Sequence, residues 1–291
     1  MNAIILLSQL LFTECGKNCP KIESNIIDWT IIDKKYWTVT KHQGTSPKGS
    51  ANCPGGDMIE IRGKMGISND SNSFSYDNIE SLQKNTCKKW SEKKENCLEF
   101  DKEKWEKIKK DLPKKEMHFC IDPYEWPNRI EGAPWVMVTW DESKALCESR
   151  GKRLCSEEEW TFSCEGEEML PFPNGYIRDA EKCNIDKRWK AYDNTMMFPR
   201  GTNKFRKELG HLWQGHSSGS NPECASPFGI HDMLGNVEEL TTTSRPNKYK
   251  SILKGGYWAG RKFQCRSSIR SHGELHTFYQ QGFRCCADAP K

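Results

Sequence analysis

PWVMVTWDESKALCESRGKRLCSEEEWTFSC, residues 134–164, is the stretch from which the fold is read. It predicts two short helices. Asp141 can cap the first, in which Ala145 and Leu146 face inward and Cys147 sits on a regular element, and Gly151 stops it. Ser156 caps the second, where the acidic run Glu157 to Glu159 suits the positive end of a helix. Around them the chain offers only short strands and many loops, so Cys147, Cys155 and Cys164 read as staples.

The whole chain supports that reading. It carries fourteen cysteines in 291 residues, with no C-x-x-C pair, so disulfides formed in an oxidising compartment are favoured over zinc sites. The even total permits complete pairing but not its connectivity. The opening MNAIILLSQLLF has the length of a secretory h-region, which makes 1–14 a signal segment and places the protein in an extracytoplasmic setting: secreted, periplasmic or on the cell surface. Glu14 before Cys15 does not suit lipid attachment, and no later run is long and apolar enough for a transmembrane helix. The net charge is +4, from 44 basic and 40 acidic side chains, with Lys concentrated between Lys84 and Lys115 as a solvated face, so no nucleic-acid partner is expected.

Working outward, 15–52 forms an N-terminal extension with strands expected over 26–32 and 36–40. The main domain, 53–287, opens on CPGGDMIEIRGKM, a Pro-Gly-Gly turn followed by the strand-like Met58, Ile59 and Ile61. A polar segment, 66–116, interrupts it. Residues 66–97 read as an inserted loop bracketed by Cys87 and Cys97, whereas Trp105, Ile108 and Leu112 recur at helical spacing up to Pro113 and suggest a surface helix. Beyond Cys164 the turn signals PFPNG, PRGT, SSGSNP and SRPN suggest mostly loops.

Five segments then occur in order: CIDPYEWPN (120–128), PWVMVTWDESKALCESRGKRLCSEEEW (134–160), PFGIHDMLGNVEEL (227–240), LKGGYW (253–258) and QGFRCC (281–286). Together they resemble the formylglycine-generating enzyme, or sulfatase-modifying factor, family. The resemblance implies an α+β, loop-rich, disulfide-stapled fold of the C-type-lectin-related kind. It pairs Cys147 with Cys285 and Cys164 with Cys265, bridges worth about 4 to 5 kcal/mol each by loop-closure entropy. It gives no guide for Cys120, Cys155, Cys183, Cys224 and Cys286, and the adjacent Cys285 and Cys286 could exchange partners. It also implies structural calcium. The loop DMLGNVEE resembles the family's calcium loop, which by position nominates Asp232, Gly235, Val237 and Glu239, while Asn184 and Ile185 match the start of a second site.

One part of the resemblance fails. Formylglycine formation uses two further cysteines between the Gly-Gly turn and the disulfide cysteine, because paired thiolates hold copper. Here GGYWAGRKFQC has none between Gly256 and Cys265, and if Cys265 were assigned to the second catalytic position the first would fall on Gly260. The family's GNxWEW reads GNVEEL, so Glu238 and Leu240 replace two Trp, and Tyr257 stands where catalytic members have Ser. Copper is therefore not expected. The candidate pocket is marked by Tyr257, Trp258, Gly260 and Arg270, with Trp135, Trp213, Trp258 and Tyr279 expected on loops facing a protein, peptide or glycan partner. The function expected is a non-catalytic binding or scaffold module, a pseudoenzyme. The alternative is an oxidoreductase of altered, metal-dependent chemistry in the same pocket; formylglycine generation itself is less expected. His272 and His276 flank Glu274 at i, i+4 spacing, but Gly273 favours a loop and a structural role. Asp122 and Glu125 are read as satisfying backbone and turn groups rather than as an acid/base pair.

Overall fold

The turn at Pro54–Gly56 leads from Cys53 into strand β1 (Ile59–Gly66), whose Ile61 and Met65 are buried while Arg62 and Lys64 face solvent. The computed structural model describes residues 44–68, 75–92, 96–260 and 263–290. The leader 1–14, the strands expected over 26–32 and 36–40, Cys15 and Cys19 lie outside the described residues. Residues before Cys53 already belong to the domain: Thr45 exchanges backbone hydrogen bonds with Ile130, and the Ser50 amide donates to the Met58 carbonyl.

Two four-stranded sheets carry the architecture. In the first, β4 (Lys114–Ile121) lies antiparallel to β1, with Ile59 opposite Ile121 and Gly66 opposite Lys114. Next come β10 (Cys285–Asp288) and β5 (Arg153–Leu154), giving the order β1-β4-β10-β5. The second has the order β8-β7-β6-β9, built from β6 (Glu238–Thr242), β7 (Ser251–Lys254), β8 (Ser268–Ile269) and β9 (Gln281–Phe283). Strands β6 and β9 are parallel and the others antiparallel. Only Arg284 separates β9 from β10, so the chain changes sheet within one residue.

Helix α3 (Trp140–Glu148) begins one residue before Asp141, and its cap is Thr139. The Thr139 hydroxyl accepts from the Glu142 amide at 3.2 Å, and Glu142 accepts from the Thr139 amide at 2.8 Å. That reciprocal box needs a Glu three residues after the cap, which Thr139 has and Asp141 lacks. Helix α4 (Glu157–Glu165) starts at Ser156, which forms the same box with Glu159. Almost every α4 side chain is buried, including Trp160 and Phe162.

The polar segment is a folded insertion in the β1–β4 hairpin, closed at its neck by the Ile67 amide donating to Pro113. It holds α1 (Ser75–Lys84), the hairpin of β2 (Cys87–Trp90) and β3 (Cys97–Phe100), and α2 (Lys102–Lys110), so the loop expected over 66–97 is replaced by regular elements. Ile79 and Trp105 supply the reason, because both are fully buried in a small satellite core with Met169. The segment's last residues, 114–116, belong to β4. After Cys164, the loop-rich expectation likewise gives way to α5 (Asn194–Met197) and α6 (Asn203–Leu212), where Phe205, Leu209 and Leu212 line one buried face.

Six disulfides join the described cysteines: Cys53–Cys120, Cys87–Cys97, Cys147–Cys285, Cys155–Cys286, Cys164–Cys265 and Cys183–Cys224. Cys285 and Cys286 are neighbours on β10, so they face opposite sides of the strand. Cys285 therefore enters the larger core with Cys147, and Cys286 enters the second core with Cys155, Cys164 and Cys265.

The Cys147–Cys285 bridge spans 138 residues and Cys87–Cys97 only 10. Replacing both cysteines of the long bridge by Ala should cost about 5 kcal/mol of unfolding free energy, and those of the short one about 3. Guanidinium unfolding of the two double variants checks this order; equal losses would show that loop closure is not the main contribution.

Candidate functional site

The DMLGN turn, 232–236, packs directly on Asn184 and Ile185. Gly235 has φ +79°, and a Cβ there would lie 2.3 Å from both the Asn184 carbonyl oxygen and Ile185 Cγ2, so only glycine allows this approach. The Asn236 amide donates to the Asn184 carbonyl at 2.9 Å, and the Asn184 side-chain amide donates to Asn236 Oδ1 at 3.0 Å. Asn236 in turn donates to Glu125 Oε2 at 2.8 Å, and the Val237 amide donates to Glu125 Oε1 at 3.2 Å. Ser218 completes the Glu125 shell. Thus the two segments nominated for calcium and the CIDPYEW segment meet at one place.

Charge there is unbalanced. Glu125, Asp232 and Glu239 are buried together with a single cation, Arg284. Arg284 Nε and Nη2 donate to the two oxygens of Glu239, each at 2.7 Å, and the Trp160 indole adds a third bond at 2.8 Å. Arg284 also donates to the carbonyls of Asp122, Pro123 and His231. The guanidinium's pKa is raised because Glu239 outweighs burial. Glu125 is pushed well above the usual carboxylate range by burial and then by Asp232 and Glu239. Burial likewise pushes Asp232 up to about 7, although the Gly219 amide donates to its Oδ2 at 2.6 Å.

These hydrogen bonds test the calcium assignment. Calcium takes six to eight hard oxygens, yet both oxygens of Glu239 already face a guanidinium, and one of Asp232 accepts a backbone amide. Asn184 Oδ1 is buried and without a hydrogen-bond partner, an open donor of the right kind, but Asp186 beside it is paired with Arg178. The residues at 232–239 do not fit the ion in this arrangement. Among the described residues, no group of three or more His, Cys, Asp or Glu is placed to hold a metal.

The profile of the sulfatase-modifying factor enzyme 1-like domain matches residues 68–289. The chain belongs to this family. Over 134 residues it is 30% identical to inactive C-alpha-formylglycine-generating enzyme 2 of Bos taurus, covering 43% of this chain and 38% of that protein. Over 187 residues it is 27% identical to the formylglycine-generating enzyme of Mus musculus, covering 53% and 44%. The matches thus span less than half the length of these curated relatives. Among solved structures, PvdO from Pseudomonas aeruginosa aligns over 84% of this chain and 98% of its own, with a TM-score of 0.47 and 14% identity.

In this sulfatase-modifying factor domain the Gly-Gly turn carries an aromatic corner. The Trp258 amide donates to the Asn236 carbonyl, which ties the corner to the DMLGN turn. Tyr257 and Trp258 stand together, Tyr257 half-buried and Trp258 buried; Gly260 closes the turn by donating to the Tyr257 carbonyl. Arg270 is engaged elsewhere, paired with Glu157 at the start of α4. The aromatics expected to face a partner are largely core: Trp213, Trp258 and Tyr279 are buried and Trp135 is partly so, because in a loop-rich fold large rings take the place of an aliphatic interior. Exposed instead are Trp189 and Tyr192, at 54% and 38%. Sequence reasoning passed over both; the signal was two aromatics in the otherwise polar DKRWKAYD. His272 and His276 stack with ring centroids 3.8 Å apart in a loop, and His276 is bonded to Gln281.

Glu239→Gln should cost about 3 kcal/mol or more by leaving Arg284 without its counter-charge, a drop of roughly 6 to 12 °C in melting temperature. The drop should be the same in calcium and in chelator. A calcium-dependent rise of the parent protein that Glu239→Gln abolishes would return the ion to this loop.

Proposed function

We propose that this chain is an exported, non-catalytic binding or scaffold module of the sulfatase-modifying factor family. The observation that carries the reading is the state of the thiols. All twelve described cysteines are in disulfides, and none remains free among the described residues. Cys265, the cysteine nearest the turn, is bonded to Cys164 across 101 residues. At Gly260 a Cβ would lie 3.0 and 3.1 Å from backbone atoms of Tyr257, so a thiol there would be crowded. A pair of thiolates for Cu(I) has no place in this turn.

The surroundings agree. Glu238 and Leu240 occupy the positions where the resemblance calls for Trp, and Tyr257 replaces Ser, which remakes the wall beside the turn. Fold membership does not transfer an activity whose residues are missing. Six disulfides among the described residues require an oxidising compartment, and among them no helix is long and apolar enough to cross a membrane.

The test is turnover. The protein, loaded with Cu(I) in air, should leave the cysteine of a sulfatase-motif peptide unchanged by mass spectrometry. Conversion of that cysteine to the aldehyde would overturn the reading.

A further inference from the structure

Glu238 opens β6 and is only 4% exposed, yet its Oε1 is buried without a hydrogen-bond partner. A buried carboxyl left in this state costs stability and calls for an explanation. Burial alone pushes it up to about 8, and no described cation lies close enough to offset that. Side chains alternate along β6: Glu239 faces Arg284 on one side, while Glu238 shares the other face with Leu240, which packs in the core that holds Trp258 and Tyr279.

What lies beside Glu238 on that face is aromatic. Tyr257 feels its charge directly. Tyr257, Trp258 and Tyr279 form a three-ring corner, with centroid separations of 5.8, 6.4 and 5.9 Å and the Tyr257 ring nearly perpendicular to the other two. The tyrosine hydroxyls are hydrogen-bonded to each other, and the Trp189 indole reaches Tyr279. Trp189 and Tyr192 carry the aromatic surface outward to solvent. Ring faces and a carboxylate both attract positive charge.

We propose that Glu238 and the Tyr257–Trp258–Tyr279 corner form a recognition site for an alkylammonium group. The inference rests on the non-catalytic binding reading and names its ligand class. The cation takes the place that a proton otherwise holds on Glu238, and its alkyl substituents lie on the rings. Glu238 occupies a position where the resemblance calls for Trp, so the site is a property of this chain's own substitutions.

The probes are choline, n-butylammonium and the uncharged tert-butyl isostere of choline, dimethylbutanol, titrated calorimetrically into the full oxidised protein. At least one ammonium should bind about ten-fold more tightly than the neutral isostere. Glu238→Gln should lose that preference while melting no lower than the parent, because it removes a buried acid that has no partner; Tyr257→Leu should weaken the same ligand. A trimethyllysine peptide run in parallel separates sources: tighter binding than choline assigns the cation to a protein side chain, and weaker binding to a small molecule. Equal binding of the neutral isostere, no ammonium binding, or unchanged affinity in Glu238→Gln would overturn the proposal. Peptide oxidation in the turnover assay would overturn the non-catalytic reading instead, and the two failures are separately visible.

Discussion

The ion pair between Arg284 and Glu239 is the interaction on which the rest of the structure depends. Arg284 is the only residue between β9 and β10, so its backbone marks the point where the chain leaves one sheet for the other. Its guanidinium reaches Glu239 on β6 and the carbonyls of Asp122, Pro123 and His231. One fully buried cation therefore holds together the 120–128 segment, the 227–240 segment and the last strands. Buried ion pairs are weak evidence for net stability, because desolvation opposes the Coulombic gain. Their loss is costly, however, and here several chain segments share the same partner.

Disulfides complete what that junction begins. Two adjacent cysteines on β10 face opposite ways and fix α3 to one core and the strand ahead of α4 to the other. Cys164–Cys265 ties α4 to the segment after the Gly-Gly turn. A fold with few long elements thus gains from covalent closure what longer helices and strands supply elsewhere. The insertion between β1 and β4 is tolerated because it leaves from paired residues, Gly66 and Lys114, and carries its own small core.

Much of this was legible in the sequence wherever local chemistry decides the outcome. Ser156 with Glu159 announces α4, and Met58, Ile59 and Ile61 announce the β1 edge. Asp141 was the wrong cap because its helix-start chemistry was weighed without the Glu that Thr139 has three residues on. Helix α1 escaped notice because its polar sequence buries Ile79 only through contact with Trp105 and Met169, which are distant in the chain. At the site, the identity of DMLGNVEE was plain, but what Glu239 binds was not, since Arg284 arrives from 45 residues away. Glu238 was seen as a departure from a pattern; that its carboxyl lies buried without a partner is a property of tertiary packing alone.

The central claim is that the family's scaffold is retained here while its thiol chemistry is gone. The most direct measurement is mass mapping of the unreduced protein, digested under alkylating conditions that trap free thiols. The account predicts a linked Cys164–Cys265 peptide and no alkylated Cys265. Recovery of Cys265 as a free, alkylated thiol would contradict it.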